Sequence, residues 1–303
     1  TRQVQPLWRN SIVQKNRKIC KLDKGNWYLD PGNPETQEYL SRIVKEITSQ
    51  YDIDGIHFDY IRYPEQADNF PDKDSYRRYG KGKELRQWRR DNITDIVRRL
   101  YTDIKSIKPW VKVSNSPSGK YRDPNRYPSR GWNAYHVVYQ DAQKWLKEGI
   151  HDALFPMMYF QGNNFYPFAL DWKENNGNRW IIPGLGIYFL SPREQDWPLG
   201  EIVRQIHFTR QIKLNGQAYF RNRFLLDNTK GVLDELKENF YTTPALIPPM
   251  RWADSIPPSV PSTPSVQQLP NGKLRMSWQA STDNSNQAVV YHLYGSNTYP
   301  VDI

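Results

Sequence analysis

The chain has 303 residues, of which 24% are charged and 38% are hydrophobic, a balance typical of a globular protein. No run of 18 apolar residues occurs, so the sequence predicts no membrane span, and no signal peptide opens the chain at Thr1. The single cysteine, Cys20, excludes an internal disulfide framework and a thiolate zinc cluster. The five histidines show no HExxH spacing, and we therefore expect neither a metal site nor a cofactor.

The charge and the aromatic content of the chain indicate which kind of molecule it binds. The net charge is +10, and aromatic residues make up 14% of the chain, including 11 Trp and 20 Tyr. Basic charge favours nucleic acid, but the Lys and Arg residues are spread out and form no zinc-finger, RNP or basic-zipper pattern. Aromatic rings stack equally well on the apolar faces of sugars. We therefore expect a polysaccharide partner and no nucleic acid; core aromatics with a solvated basic surface are the plainer interpretation.

Helices and strands alternate along the first 240 residues. Asn33 and Pro34 predict the start of a helix that ends before Tyr51, and DGIHFDYI follows as a strand. Further helices are predicted near 83–107, 138–148, 167–176, 199–213 and 229–239. Further strands are predicted at 110–116, 151–160, 180–189 and 216–224. Strands that alternate with helices in this way predict parallel βαβ units.

The spacing of these strands suits an α/β fold of the (β/α)8 TIM-barrel type with long loops. Only five strands can be counted. We therefore expect a barrel that lacks its first strands, in which residues 1–250 supply strands four to eight of a chain cut at its start. An all-parallel, five-stranded open sheet is the alternative.

The C-terminal part changes character. Residues 251–263 are rich in Pro and Ser and predict a linker. After it, KLRMSWQAS and AVVYHLYGS alternate in the β manner on either side of the polar turn TDNSNQ. Trp278 with Tyr291 or Tyr294 occupies positions typical of core aromatics in a β-sandwich. Residues 264–303 are therefore predicted to begin an all-β, fibronectin type III-like domain.

Reactive groups of a (β/α)8 barrel lie at the carboxyl ends of its strands. Polar and aromatic residues at the predicted strand ends form the candidate substrate-binding set: His57, Arg62, Tyr63, Asn115, Tyr159, Gln161, Tyr188 and Arg221. Asp59 is the one carboxylate placed squarely at such an end. Strand alternation puts it on the same face as His57, with Ile56 and Phe58 facing the helices.

Two interpretations of Asp59 are open. A carboxylate that faces a barrel interior is costly unless it is paired or functional, which favours catalysis or direct substrate contact. An ion pair with Arg62 is the structural alternative. Asp54 precedes the strand and is expected to hold the loop there.

Glycoside hydrolysis usually needs two carboxyl groups, and the second is not obvious. Asp141 is the first candidate, although the sequence slightly favours a helix N-cap role for it. Glu65, Asp123 and a residue of the missing strands are further candidates. No phosphate-cradling glycine loop and no Ser-nucleophile elbow is present.

Several segments resemble one protein family. DGIHFDYIRYP, preceded by LDPGNPETQEYLSRIVKEITSQYDI, resembles the bacterial glycosyl-hydrolase-like family ten. SNSPSGKYRD, YQDAQKWLKEGIHDALFPMMY and GEIVRQIHFTRQIKLNGQAYF are similar to further segments of that family, so the resemblance covers residues 25–240. Its members are TIM-barrel proteins of the cell envelope and include a hydrolase of peptidoglycan glycan strands. The family's usual N-terminal part, with three strands, is absent here.

The resemblance implies that Asp59 is the catalytic Asp at the end of the fourth barrel strand. It also gives weight to Asp141, Trp145 and Tyr159 as family positions. Many relatives carry a second acidic residue directly after this Asp, where this chain has Tyr60, so the proton donor stays open. The implied function is hydrolysis of an envelope or extracellular polysaccharide, such as peptidoglycan, in the periplasm, at the cell surface or after secretion. A non-catalytic glycan-binding protein on a barrel scaffold is the alternative.

Overall fold

The structure, a computed structural model, describes residues 10–65, 67–127, 131–285 and 288–296. The chain divides into two compact units, Thr1–Pro248 and Pro249–Ile303. None of the helices in the described ranges combines the length and the apolar character needed to cross a membrane.

Strands and helices alternate through the first unit. Its α-helices are α1 (Ile12–Lys15), α2 (Pro34–Gln50), α3 (Lys73–Tyr79), α4 (Leu85–Ile107), α5 (Ala134–Val137), α6 (Ala142–Lys147), α7 (Tyr166–Glu174), α8 (Leu199–Gln211), α9 (Asn222–Leu226) and α10 (Val232–Glu235), the last extended by a π-helical turn, Leu236–Phe240. Its strands are β1 (Cys20–Asp23), β2 (Asn26–Leu29), β3 (Gly55–Asp59), β4 (Lys112–Ser116), β5 (Ala153–Leu154), β6 (Trp180–Ile181), β7 (Gly184–Leu185) and β8 (Ala218–Tyr219).

Six parallel strands follow one another in chain order. They occupy five positions, because β6 and β7 are two parts of one interrupted strand. β3, β4, β5 and β6 form one parallel sheet, and β7 pairs in parallel with β8. Only a short break at Pro183 separates β6 from β7, and a bridge between Met157 and Gly184 continues the β5 ladder past it. The predicted parallel α/β architecture is therefore confirmed. Within the described residues, β3 and β8 each have a sheet partner on one side only.

Helices cover one face of β3 and β4. The Asn33 side chain accepts a hydrogen bond from the Glu35 N–H, and Pro34 is the first residue of α2, as the sequence predicts. Ile56 and Phe58 pack into an apolar cluster with residues of α2, α4 and the β4 region: Val44, Ile96, Leu100, Ile104, Val111 and Val113. Because side chains alternate along a strand, His57 and Asp59 lie on the opposite face.

Several details of the first unit differ from the sequence prediction. The strand predicted at 180–189 is reduced to β6 and β7, and the strand predicted at 216–224 is reduced to β8, with α9 beginning at Asn222. The helix predicted at 138–148 is α6 alone. The hairpin of β1 and β2 was not predicted, and its turn has positive φ at Lys24 (47°) and Gly25 (80°), as a tight hairpin turn requires. The strand predicted at 151–160 is much shorter. Pro156 follows β5 closely, and because proline has no N–H it cannot donate to a ladder.

The second unit is built around one antiparallel hairpin. β9 (Ser265–Gln268) pairs with β10 (Leu274–Ser277), and the Trp278 and Tyr291 rings make an edge contact at 5.3 Å. The sequence instead predicted a strand in AVVYHLYGS, and residues 288–296 form none in the structure. That part of the prediction is wrong: in the part of the chain that the structure describes, β10 pairs with β9, the segment before it. A fibronectin type III-like domain stays a prediction, and residues 297–303 lie outside the described ranges.

Candidate active site

A cavity of ≈ 840 Å³ lies at the carboxyl ends of the parallel strands. Its lining combines two carboxylates, one guanidinium and a set of aromatic rings: His57, Asp59, Tyr60, Ser116, Phe155, Met157, Tyr159, Gly184, Tyr188, Glu194, Ala218, Tyr219, Phe220 and Arg221. Strand ends β3, β4, β7 and β8 and the segment after β5 all contribute. A concave site with a few polar groups among apolar ones is the usual form of a small-ligand site.

Asp59 forms the polar floor of the cavity. Its Oδ1 accepts hydrogen bonds from the Tyr60 N–H at 2.8 Å and from the Ser116 hydroxyl at 3.0 Å. The parallel register places Ser116 opposite Asp59 and Ser114 opposite His57, so the contacts follow from strand pairing. No group of the described residues bonds to Oδ2, and this oxygen is available to a ligand.

His57 extends the hydrogen-bond chain behind Asp59. Its Nδ1 lies 2.9 Å from the Ser114 hydroxyl and its Nε2 lies 3.1 Å from the Ser116 hydroxyl. The Ser116 hydroxyl donates its hydrogen to Asp59, so it can only accept from His57. The tautomer with the proton on Nε2 therefore fits: Nε2–H donates to Ser116, and Nδ1 accepts from Ser114. Burial lowers the pKa of His57, and the charge of Asp59 opposes that shift only in part. The neutral ring therefore supports the Ser116–Asp59 contact near pH 7.

Three aromatic rings form one wall of the cavity. Tyr159 stacks on Phe220 at 5.1 Å with planes 16° apart, and Tyr188 meets both rings edge-on at 5.7 and 5.8 Å. Burial raises the pKa of Tyr159 and of Tyr188, so both phenols stay protonated and act as hydrogen-bond donors. Aromatic faces beside hydroxyl donors match the apolar faces and polar edges of a sugar ring.

Arg221 and Glu194 form the charged rim. Arg221 Nη2 lies 3.7 Å from Glu194 Oε1, and the two side chains are 55% and 37% exposed. Such an exposed pair is weak, so either group can exchange its partner for a ligand.

The structure brings half of the predicted site residues together. Asp59, His57, Tyr159, Tyr188 and Arg221 line the one cavity. The other five, Arg62, Tyr63, Asn115, Asp141 and Gln161, do not line it.

Arg62 does not pair with Asp59. Its guanidinium lies over the rings of Tyr60 and Trp132 at 4.8 and 5.8 Å, and it donates to the Ser118 hydroxyl at 3.4 Å. Among the described residues, Asp59 forms no ion pair. The acidic partner of Arg62 there is Glu65, at 3.9 Å. The structural alternative for Asp59, neutralisation by Arg62, is therefore wrong.

Asp141 lies apart from the cavity that contains Asp59. It opens α6 at the N-cap position without a side-chain cap bond, and it accepts a hydrogen bond from Tyr121 at 2.6 Å. The residue borders a different depression of ≈ 670 Å³, together with Lys144 and Asn175. A direct role opposite Asp59 does not fit this position.

Tyr63 and Asn115 are buried, and substrate contact does not fit them either. Tyr63 is 0% exposed and packs edge-on against Phe70 and Tyr139. Asn115 is also 0% exposed, because alternation along β4 turns it away from Ser114 and Ser116. Gln161 is exposed outside the cavity, where it precedes a short 3-10 turn.

Nine lining residues were outside the predicted site set, and three of them, Ser116, Phe220 and Glu194, bear on the chemistry of the cavity. Ser116 stood at a predicted strand end, and its register with Asp59 was the signal that could have found it. Phe220 lies beside the predicted Arg221. Glu194 lies in a loop several residues after β7, too far from a strand end to be predicted from the strand pattern.

Known proteins show clear similarity to this chain. Residues 3–188 match the family model described as glycosyl hydrolase-like 10. A glycosyl hydrolase of Bacillus subtilis, YngK, is 32% identical over 88% of this chain and 56% of its own length. A glycosyl hydrolase of Escherichia coli, DigH, is 34% identical over 71% of this chain and 54% of its own length. The chain thus spans about half the length of these relatives.

A solved structure, the PgaB (BpsB) glycoside hydrolase domain from Bordetella bronchiseptica, is more distant. It is 14% identical, with a TM-score of 0.49 over 69% of this chain and 63% of that chain.

Proposed function

The chain belongs to the glycosyl hydrolase-like 10 family, and we propose that it forms part of a glycoside hydrolase that acts on a cell-envelope or extracellular polysaccharide through Asp59. The observation that carries this proposal is the position of Asp59. It lies at the carboxyl end of β3 on the floor of an aromatic-walled cavity, with Oδ2 open to a ligand.

The fold we propose is a (β/α)8 barrel to which this chain supplies strands four to eight. The support is the strand order, since β3, β4, β5, β6/β7 and β8 are neighbours in the order of the chain. The cavity lies at the carboxyl ends of those strands, which is where barrel enzymes carry their chemistry.

Asp59 acts at the anomeric carbon. Its Oδ1 is fixed by Tyr60 and Ser116, so Oδ2 is the oxygen that attacks C1 or that takes a proton from the attacking water. With an N-acetylated glycan, the substrate's own amide is a third attacking group, and Asp59 then orients it. The anomer of the first product, followed by NMR, separates retention from inversion.

The first substrate that we propose to test is a glycan strand of the cell wall. We propose that the protein acts on it outside the cytoplasm. Aromatic rings and phenol donors suit sugars, and a net charge of +10 attracts anionic polymers of the envelope. This attraction between exposed charges weakens as salt is added.

The test compares three proteins expressed from the complete gene: the wild type, Asp59→Asn and Asp54→Asn. Both substitutions remove one carboxylate from the ends of the same strand, but Asp54 is exposed at the opposite end and serves as the control. Release of reducing ends from purified glycan strands measures cleavage, and calorimetry measures binding.

We expect Asp59→Asn to lower cleavage at least about a hundredfold with binding retained, and Asp54→Asn to cleave like the wild type. Wild-type cleavage by Asp59→Asn contradicts the role of Asp59. Binding without cleavage by the wild type itself favours the non-catalytic glycan-binding alternative.

A further inference from the structure

A second carboxylate, that of Glu194, faces the same cavity as Asp59. We propose that Glu194 is the acid/base catalyst that works with Asp59. This inference rests on the proposed glycosidase function. Among the described lining residues, Asp59 and Glu194 are the two that carry carboxyl groups, and glycoside hydrolysis usually requires two.

The loop that carries Glu194 is held in place by its own contacts. The Ser191 carbonyl accepts hydrogen bonds from the N–H groups of Glu194 at 3.0 Å and Asp196 at 3.1 Å. Trp197 is 5% exposed and so anchors the loop in the core. Lys230 Nζ bonds to the Asp196 carboxylate at 2.6 Å and to the Trp197 carbonyl at 2.8 Å. The position of Glu194 at the cavity therefore follows from a fixed loop.

Other ionisable groups of the lining are poor proton donors for a leaving sugar oxygen. Burial lowers the pKa of His57, so the ring is neutral near pH 7. The phenols of the lining are weaker acids than a carboxyl group, and burial raises the pKa of Tyr159, Tyr188 and Tyr219 further. Glu194 is the remaining acid that stands on the cavity wall apart from Asp59.

Arg221 faces Glu194 at the rim of the cavity. Its guanidinium lies 3.7 Å from the Glu194 carboxylate, beyond hydrogen-bond distance, and both groups contact solvent. The two groups therefore form a loose, solvent-exposed pair, which a bound sugar can separate. A sugar that fills the cavity removes water, and desolvation favours the protonated form of a carboxyl group.

Glu194 supplies the proton for the departing sugar, and Asp59 supplies the attacking oxygen or the base. The Glu194 carboxyl proton passes to the glycosidic oxygen while the C1–O bond breaks and its electron pair goes to that oxygen. An Asp59 oxygen forms the new bond to C1; water then attacks C1, gives its proton to the Glu194 carboxylate and releases Asp59. Where Asp59 instead activates the water, the water proton ends on Asp59, and both groups exchange protons with solvent. Either route consumes one water for each bond broken.

The experiment compares Glu194→Gln with Asp59→Asn on two substrates, using protein from the complete gene. One substrate is the glycan strand, whose leaving sugar needs a proton. The other is a dinitrophenyl glycoside of the same sugar, whose leaving group departs without one. Glu38→Gln is the control, because Glu38 also forms an exposed pair with an arginine, Arg99, but on helix α2 away from the cavity.

We expect Glu194→Gln to lose at least about a hundredfold in kcat/KM on the glycan and far less in kcat/KM on the dinitrophenyl glycoside, whereas Asp59→Asn loses kcat/KM on both substrates. On the route in which Asp59 itself bonds to C1, added azide raises the kcat of Glu194→Ala on the dinitrophenyl glycoside, because azide attacks the Asp59-bound sugar without help from a base. Glycan cleavage by Glu194→Gln at the wild-type rate, with Asp59→Asn inactive, overturns the inference alone. A wild type that cleaves neither substrate overturns the proposed function and this inference together.

Discussion

Ser116 links the two polar residues of the cavity floor. Its hydroxyl donates to Asp59 at 3.0 Å and accepts from His57 at 3.1 Å, so one side chain fixes both the carboxylate and the imidazole. Ser114, two residues earlier, bonds to His57 Nδ1 and does not bond to Asp59. The two serines therefore form a matched pair for separating the effect on Asp59 from the effect on His57.

Ser116→Ala is expected to lower kcat about tenfold and to change KM little, because a hydrogen bond to a charged group contributes about 1.5–3 kcal/mol. Steady-state kinetics on the glycan measures both constants. Ser114→Ala leaves the Asp59 contact in place, and we expect a smaller loss from it. Equal losses in the two variants argue against a direct effect through Asp59.

Sequence alone could identify Asp59 and His57, because strand alternation fixes which face they share. It could not place Tyr63, because the partners that bury this ring come from distant segments. Arg89 lies over both Tyr63 and Tyr139, at 5.5 and 5.3 Å, and forms a buried pair with Asp72 at 2.7 Å. Glu194 was missed because a strand-end rule says nothing about the course of a loop.

At the scale of elements, helix positions were predicted better than strand lengths. α2 and α4 have clear helical periodicity and caps, including Glu84, which accepts from two N–H groups at the start of α4. The later strands are interrupted by Pro156 and Pro183, and their pairing is completed by single bridges rather than long ladders. Local propensity cannot reveal such bridges, because they depend on the neighbouring strand.

Gly119→Ala is expected to destabilise the junction between β4 and β5. A Cβ at this position meets the Met157 carbonyl oxygen at 2.4 Å and the Met158 Cα at 2.9 Å, and backbone atoms cannot move aside cheaply. We expect the free energy of unfolding to fall by about 2 kcal/mol, as measured by urea denaturation. Because Met157 lines the cavity, kcat/KM should fall as well.

Gly200→Ala is the control for this prediction. Gly200 lies in α8 with no atom within 4 Å of an added Cβ, and alanine there should stabilise by up to about 1 kcal/mol. A stable Gly119→Ala protein with wild-type kinetics contradicts the predicted clash.

The stability of the first unit as a whole should depend on pH through His151. The side chain is 0% exposed and stacks near Trp145, its Nδ1–H donates to the Ile150 carbonyl, and Nε2 has no partner among the described residues. Burial lowers its pKa from 6.5 to about 4. The native state thus resists protonation in a range where the unfolded chain accepts a proton.

This depressed pKa gives stability that is complete above pH 6.5 and is lost as pH falls toward 4. Between pH 7 and pH 5 we expect a loss of about 2 kcal/mol from His151, as measured by urea denaturation at both values. His151→Phe should show a smaller loss over this range. His207→Gln, at an exposed position, should follow the wild type, and an equal loss in His151→Phe contradicts the assignment.

The two proposed catalytic carboxylates rest on supports of different stiffness. Asp59 belongs to a strand whose register with β4 is fixed at every residue from Gly55 to Asp59. Glu194 belongs to a loop fixed by a few contacts. If both carboxylates act as proposed, we expect such a site to select strictly for the sugar unit bound next to the strand. We expect it to tolerate variation in the departing group beside the loop, so that selectivity falls mainly on one side of the bond that is cut.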